Sequence, residues 1–97
     1  MEVPPVLERE MGCTLEELER WLPGATGQAA ATPIPGGWRF AVSGGEVVLE
    51  TEPRPQRRIA LMVLPVLFVR FRFLGLGPEA RAVFLERFDA WTRRGGG

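Results

Sequence analysis

The sequence predicts an α+β domain: an N-terminal helix, a four-stranded and mostly antiparallel sheet, and a C-terminal helix packed on that sheet. Three features carry this expectation. Thr14-Leu15-Glu16-Glu17 has the capping-box pattern ahead of an apolar stripe. Trp38, Phe40 and Val42 alternate with Arg39, Ala41 and Ser43, the period of a half-buried strand. Ala80, Val83, Phe84, Phe88 and Trp91 recur at helical spacing behind Pro78.

Pro5 suits the first turn of a short leading helix carrying Val6, Leu7, Glu10 and Met11, with Gly12 separating it from the next element. The main N-terminal helix follows Thr14. Leu15, Leu18, Trp21 and Leu22 form its apolar face, its acidic first turn complements the helix dipole, and Pro23-Gly24 ends it. Residues 23–37 are small residues, Pro and Gly without periodicity, and read as one long loop. Strands then flank Gly44-Gly45. A two-residue Gly-Gly loop puts Val42 opposite Val47, Phe40 opposite Leu49, Trp38 opposite Thr51 and Arg39 opposite Glu50.

Pro53-Arg54-Pro55-Gln56 reads as a break before a third strand over 57–63, and Leu64-Pro65 leads into a fourth over 66–74. The Leu64-Pro65 link is either a turn or a bulge in one long bent strand, since it lacks the Gly, Asn or Asp of tight hairpins. Gly75-Leu76-Gly77 opens the last helix, with Arg93 and Arg94 at its C-terminal end. Trp21, Trp38, Phe40, Phe71, Phe73, Phe84, Phe88 and Trp91 are the expected core. The 97 residues make a single domain, with 95–97 as a flexible tail.

Composition excludes much chemistry. The chain has no His, Lys, Tyr or Asn, one Cys (Cys13), one Ser (Ser43) and one Asp (Asp89). Serine–histidine, cysteine–histidine and Schiff-base mechanisms lack their parts, as does a zinc site built on His or several Cys. The expectation is a non-enzyme with no cofactor and no metal. Cys13 beside a helix start lacks a base to activate it, and reads as inert. The longest apolar run, Ile59 to Val69, is eleven residues with Pro65 inside, short of the roughly 20 that span a bilayer. Met1-Glu2-Val3-Pro4-Pro5 has neither the basic start nor the apolar stretch of a signal peptide, so the expected location is the cytoplasm, without a membrane partner.

Two surfaces stand out as candidates. The apolar run gives both faces of its strands apolar residues, and a second face without a cover marks an interface with another protein or a second copy. Its expected residues are Met62, Leu64, Phe68, Arg70 and Arg72. The alternative is nucleic-acid binding through Arg57, Arg58, Arg70 and Arg72, with phosphates on the guanidinium groups and bases stacked on Phe68. Against that reading stands the simpler one of a solvated face, its arginines neutralised by carboxylates on the next strand. Arg93-Arg94-Gly95-Gly96-Gly97 is similar to the tail of ubiquitin-like modifiers, but here it follows a helix rather than a strand.

The stretch RRIALMVLPVLFVRFRFLGL (57–76), with MGCTLEELERWLPGA before it and RFDAWTRRGGG after it, resembles a family of small uncharacterised proteobacterial proteins. The resemblance implies no activity and carries over no catalytic residue. Charge is unevenly spread: residues 1–52 hold three Arg and nine acids, net −6, whereas residues 53–97 hold nine Arg and three acids, net +6. Coulomb attraction favours these halves lying against each other; on opposite surfaces they would make the molecule a strong dipole suited to steering or head-to-tail contact.

Overall fold

Residues 45–59 and 62–74 pair as one long antiparallel hairpin, and the other elements are arranged on it. The computed structural model describes residues 2–94. In chain order these form β1 (Val6–Met11), α1 (Leu15–Ala25), β2 (Ala30–Ile34), β3 (Gly37–Val42), β4 (Gly45–Ile59), β5 (Met62–Leu74) and α2 (Pro78–Arg94). The strands make one antiparallel sheet in the order β1-β5-β4-β3-β2, and both helices pack on the same face of it. The α+β class is as expected; the sheet has five strands rather than four.

Both additional pairings at the sheet edges replace expectations. Residues 6–11 are a strand, not a helix. The apolar spacing there fits either element, but Leu7 and Met11 turn inward at period two while Glu8 and Glu10 face out. The ladder with β5 decides it, and it extends to a Phe73 N–H donating to the Pro5 carbonyl at 2.8 Å. Within the expected loop 23–37, β2 pairs with β3 from Ala30↔Ala41 to Ile34↔Gly37. Helix α1 also runs past Pro23 to Ala25. Its end is a Schellman motif, in which Gln28 N–H donates to Pro23 O at 2.7 Å and Gly27 N–H to Gly24 O at 3.2 Å. Gly27 supplies the left-handed residue that this motif needs, at φ 68.

The capping box at Thr14 forms as read from sequence: Thr14 accepts from the Glu17 N–H at 3.1 Å and its own N–H donates to Glu17 Oε1 at 2.8 Å. The β3–β4 register is shifted by two. Phe40 pairs with Val47, Trp38 with Leu49, and Arg39 with Val48 rather than Glu50. The turn is Ser43-Gly44, because the left-handed position falls on Gly44 at φ 91. A shift of two keeps every side chain on its predicted face, so the core survives the correction.

The largest correction concerns 53–65. No break occurs at Pro53-Pro55 and no turn at Leu64-Pro65: β4 continues to Ile59 with an irregularity between Arg54 and Arg57, and the turn is Ala60-Leu61. Prolines fit here because of where their missing N–H would point. Thr51 N–H donates sideways to Gly36 O at 2.9 Å, so 53 and 55 project toward the same side, beyond the end of β3. Phe73 N–H points toward β1, which puts Pro65 on that side, beyond Met11 at the end of β1. None of the three removes a bond from the β4–β5 ladder. From about residue 53 to 66 the hairpin therefore runs on past the ends of β1 and β3 as a two-stranded arm, roughly 20 Å long at ~3.3 Å per residue, with Val66 at its base still buried.

The core lies between the sheet and the helices. Phe40, Val47, Leu49, Leu67, Val69, Phe71 and Phe73 project from the sheet against Leu18, Leu22 and Ala25 of α1 and Leu85 and Phe88 of α2. Phe88 meets Phe71 edge to face at 4.9 Å, and Phe84 meets Phe73 likewise at 5.9 Å. Four expected core members sit further out: Trp21, Trp38 and Phe84 are half-buried and Trp91 is exposed. Val83 and Ala80 also face solvent, since α2 turns Phe84, Leu85, Phe88 and Thr92 inward. The predicted tail 95–97 lies outside the described residues. Removing the Phe88 ring should cost about 3–5 kcal/mol of stability, whereas Val83→Ala should shift it by no more than about 0.5 kcal/mol. Urea denaturation of the two variants checks the difference.

Candidate interaction surface

By the alternation of the ladder, Glu8 and Glu10 of β1, Glu50 and Glu52 of β4, and Phe68, Arg70 and Arg72 of β5 share the sheet face away from the helices. Such neighbours meet directly across strands. Arg70 Nε donates to Glu8 Oε2 at 2.7 Å, and its Nη1 lies 3.5 Å from Glu50 Oε1. Arg72 Nη1 approaches the same oxygen at 4.0 Å. Arg57 reaches Glu10 at 3.2 Å, and Arg54 reaches Glu52 at 3.6 Å. The hydrogen bond from Arg70 to Glu8 holds its guanidinium charged more firmly than usual, with desolvation opposing and the Glu8 and Glu50 charges assisting.

This lattice answers how the second face is covered. The guanidinium groups of Arg54 and Arg70 lie 4.7 and 5.5 Å from the Phe68 ring centre. Val48 and Val66 on the same face are buried. Arginine stems and cations thus shield the apolar residues of the middle of the sheet from water. On the helix side, Arg9 makes a comparable link, with its Nη2 2.8 Å from Asp89 Oδ1 and its guanidinium 5.0 Å from the Phe71 ring centre.

The cover stops at the arm. Leu61 is 100% exposed, Met62 59%, Ile59 52% and Val63 47%. Arg57 and Arg58 flank this apolar tip, on opposite faces of the arm by their pairing with Leu64 and Val63. The turn itself is unusual. Ala60 takes φ 55, a left-handed conformation that costs a non-glycine residue about 1–2 kcal/mol. No Gly, Asn or Asp stands at the tip, and an alanine-leucine turn carries no turn signal in the sequence.

The residues expected to form one surface are therefore divided. Phe68, Arg70 and Arg72 belong to the ion-paired middle of the sheet, Met62 to the uncovered tip, and the half-buried Leu64 lies between them. Of the proposed phosphate contacts, Arg57, Arg70 and Arg72 each face a carboxylate, and Arg58 points from the other face of the arm. Leu61 and Ala60, which complete the tip, fall within the apolar run 59–69 but are not among the surface residues expected from it.

Two further places bear on function. Cys13 is buried at 2% exposure, and burial, with the Glu17 carboxylate adding to it, pushes its thiol up to about 11. A thiol held in this protonated state is a poor nucleophile. An apolar hollow of about 310 Å³ opens between the end of α1 and the β2–β3 hairpin, lined by Leu22, Pro23, Ala29, Trp38 and Phe40 with Glu19 at its side. Among the described residues no group of three or more His, Cys, Asp or Glu is placed to hold a metal ion, and no helix is long and apolar enough to cross a membrane. The chain matches no protein-family model, and no curated protein matches it.

Two measurements probe these sites. Because the folded state holds the Cys13 proton more tightly than the unfolded chain, stability is full below a pH of about 9.0 and falls as pH rises toward 11. The loss should be about 1–3 kcal/mol, at about 1.4 kcal/mol per pH unit, and Cys13→Ala should remove this part of the pH dependence in a denaturation series. Ala60→Gly should raise stability by about 1 kcal/mol in thermal unfolding, by relieving the left-handed turn.

Proposed function

We propose that this is a cytoplasmic, non-catalytic interaction protein that binds through the tip of the β4–β5 arm, with a second copy of itself as the partner. One observation carries the reading: Ile59, Leu61, Met62 and Val63 are exposed together at the end of a projecting hairpin, while Val48, Val66, Leu67, Val69 and Phe71 in the middle of the sheet are buried. A protein interior or interface normally takes such residues, and a left-handed alanine there is a local cost kept without a gain in the fold itself. The proposed surface is narrower than the sequence suggests. It is centred on Leu61 and Met62 rather than on Phe68, Arg70 and Arg72.

Nucleic-acid binding has less support. Releasing counterions from phosphates needs cations with no protein anion beside them. Arg57, Arg70 and Arg72 instead lie against Glu10, Glu8 and Glu50. Binding there would have to break those pairs first.

Sedimentation velocity over a concentration series tests the proposal. The expected result is reversible association in the micromolar range, lost in Leu61→Asp, which leaves the fold intact because the Leu61 side chain is fully in solvent. A wild-type chain that stays monomeric at millimolar concentration overturns self-association. A salt-sensitive shift of generic single-stranded DNA or RNA by the monomer, weakened in Arg70→Ala, would move the assignment to nucleic acid.

A further inference from the structure

Resting on the self-association reading, the arrangement of charge and shape points to where the arm goes: we propose that its tip docks in the hollow between α1 and the β2–β3 hairpin of a second copy. The two surfaces are unlike and complementary. Residues 53–66 carry no acid; Arg54 and Arg57 lean on Glu52 and Glu10 of their own chain, and Arg58 stands beside the exposed Ile59, Leu61 and Met62. The hollow has apolar walls of Leu22, Trp38 and Phe40, and Glu19 stands beside it. Glu16, one turn earlier and also exposed, is a surface neighbour of Glu19; with Glu17 against the single basic Arg20, α1 is net acidic.

Size and accessibility agree with the assignment. At about 310 Å³ the hollow is at the small end of the range for ligand pockets, suited to one or two apolar side chains rather than to a large cofactor. No arm residue lines the hollow of its own chain. The arm projects outward past the ends of β1 and β3, so its tip is presented to another molecule. Pairing one arm with another would instead bring the two Arg58 side chains together with no acid of 53–66 between them, and like charges juxtaposed at an interface cost several kcal/mol. The edge strand β1 is no better a self-pairing surface, because antiparallel pairing about its centre would bring Glu8 and Glu10 of the two copies close together. The mode is therefore heterologous contact between two different patches, which either closes reciprocally in a dimer or propagates head to tail.

A charge-swap experiment on the full chain tests the contact. Arg58 and Glu19 are both exposed, so Arg58→Glu and Glu19→Arg are expected to fold normally. Each variant alone should associate about tenfold more weakly than wild type, as like charges then meet at the contact. An equimolar mixture should return to wild-type affinity. In it the unaltered arm of the Glu19→Arg chain meets the unaltered hollow of the Arg58→Glu chain, and the two altered surfaces meet with their charges exchanged. A mixture as weak as its components, or a Glu19→Arg chain that associates like wild type, overturns the docking while leaving self-association standing. A wild type that remains monomeric overturns both. Sedimentation of the monomer with vesicles of anionic phospholipid, abolished by Leu61→Asp, would assign the tip to a membrane surface and overturn the proposal.

Discussion

The β4–β5 ladder is the constraint on which the rest of the molecule depends. It places β5 between β4 and β1, and β4 between β5 and β3, so every other strand joins the sheet through it. The ladder is interrupted only between Arg54 and Arg57, even though Pro53, Pro55 and Pro65 lie in its strands. Backbone direction explains this. A proline is tolerated in a strand where its missing donor would have met no acceptor, and all three face sides from which β1 and β3 have already ended. The same prolines deny lateral pairing to any further strand there. The arm is thereby kept from becoming an edge open to indiscriminate addition.

Charge is the second organising term. Each ion pair described above, from Arg9–Asp89 to Arg72–Glu50, joins a residue of 1–52 to a residue of 53–97. The opposite net charges of the two halves meet largely across the sheet, between β5 and its neighbours β1 and β4. Individually these half-exposed pairs contribute little. Collectively they sit over Val48, Val66 and Phe68 and make a hydrated lid on a face that no helix covers. Where carboxylates run out, beyond Glu52 and Glu10, the lid ends and the apolar tip begins.

Much of this is readable along the chain. Helix α1 has its capping box, β3 and the start of β4 have their alternation, and α2 has its Pro78 start, because these signals are local and each is made by residues within a few positions of one another. Phe40, Val47, Leu49, Phe71 and Phe73 also lie on the face that alternation predicts, since a register change of two preserves parity. What is not readable requires a partner from elsewhere. Val6–Met11 has a pattern that suits helix or strand, and only the free edge of β5 selects strand. Ala30–Ile34 has almost no pattern and is a strand because β3 presents an edge. The Ala60-Leu61 turn lacks every usual turn residue, so the prolines on either side are the stronger and misleading signals.

The amino-acid sequence by itself determined the class of fold, the inward faces of β3, of β5 and of the start of β4, the capped helix and the absence of the side chains needed for most nucleophilic and zinc chemistry. These follow from periodicity and residue inventory, which need no third dimension. Tertiary structure alone decided which cations are neutralised and which apolar residues are left in water. Both depend on strand neighbours that are distant along the chain: Glu8 and Arg70 meet because β1 lies beside β5, and Leu61 is exposed because β1 and β3 both stop short of the arm.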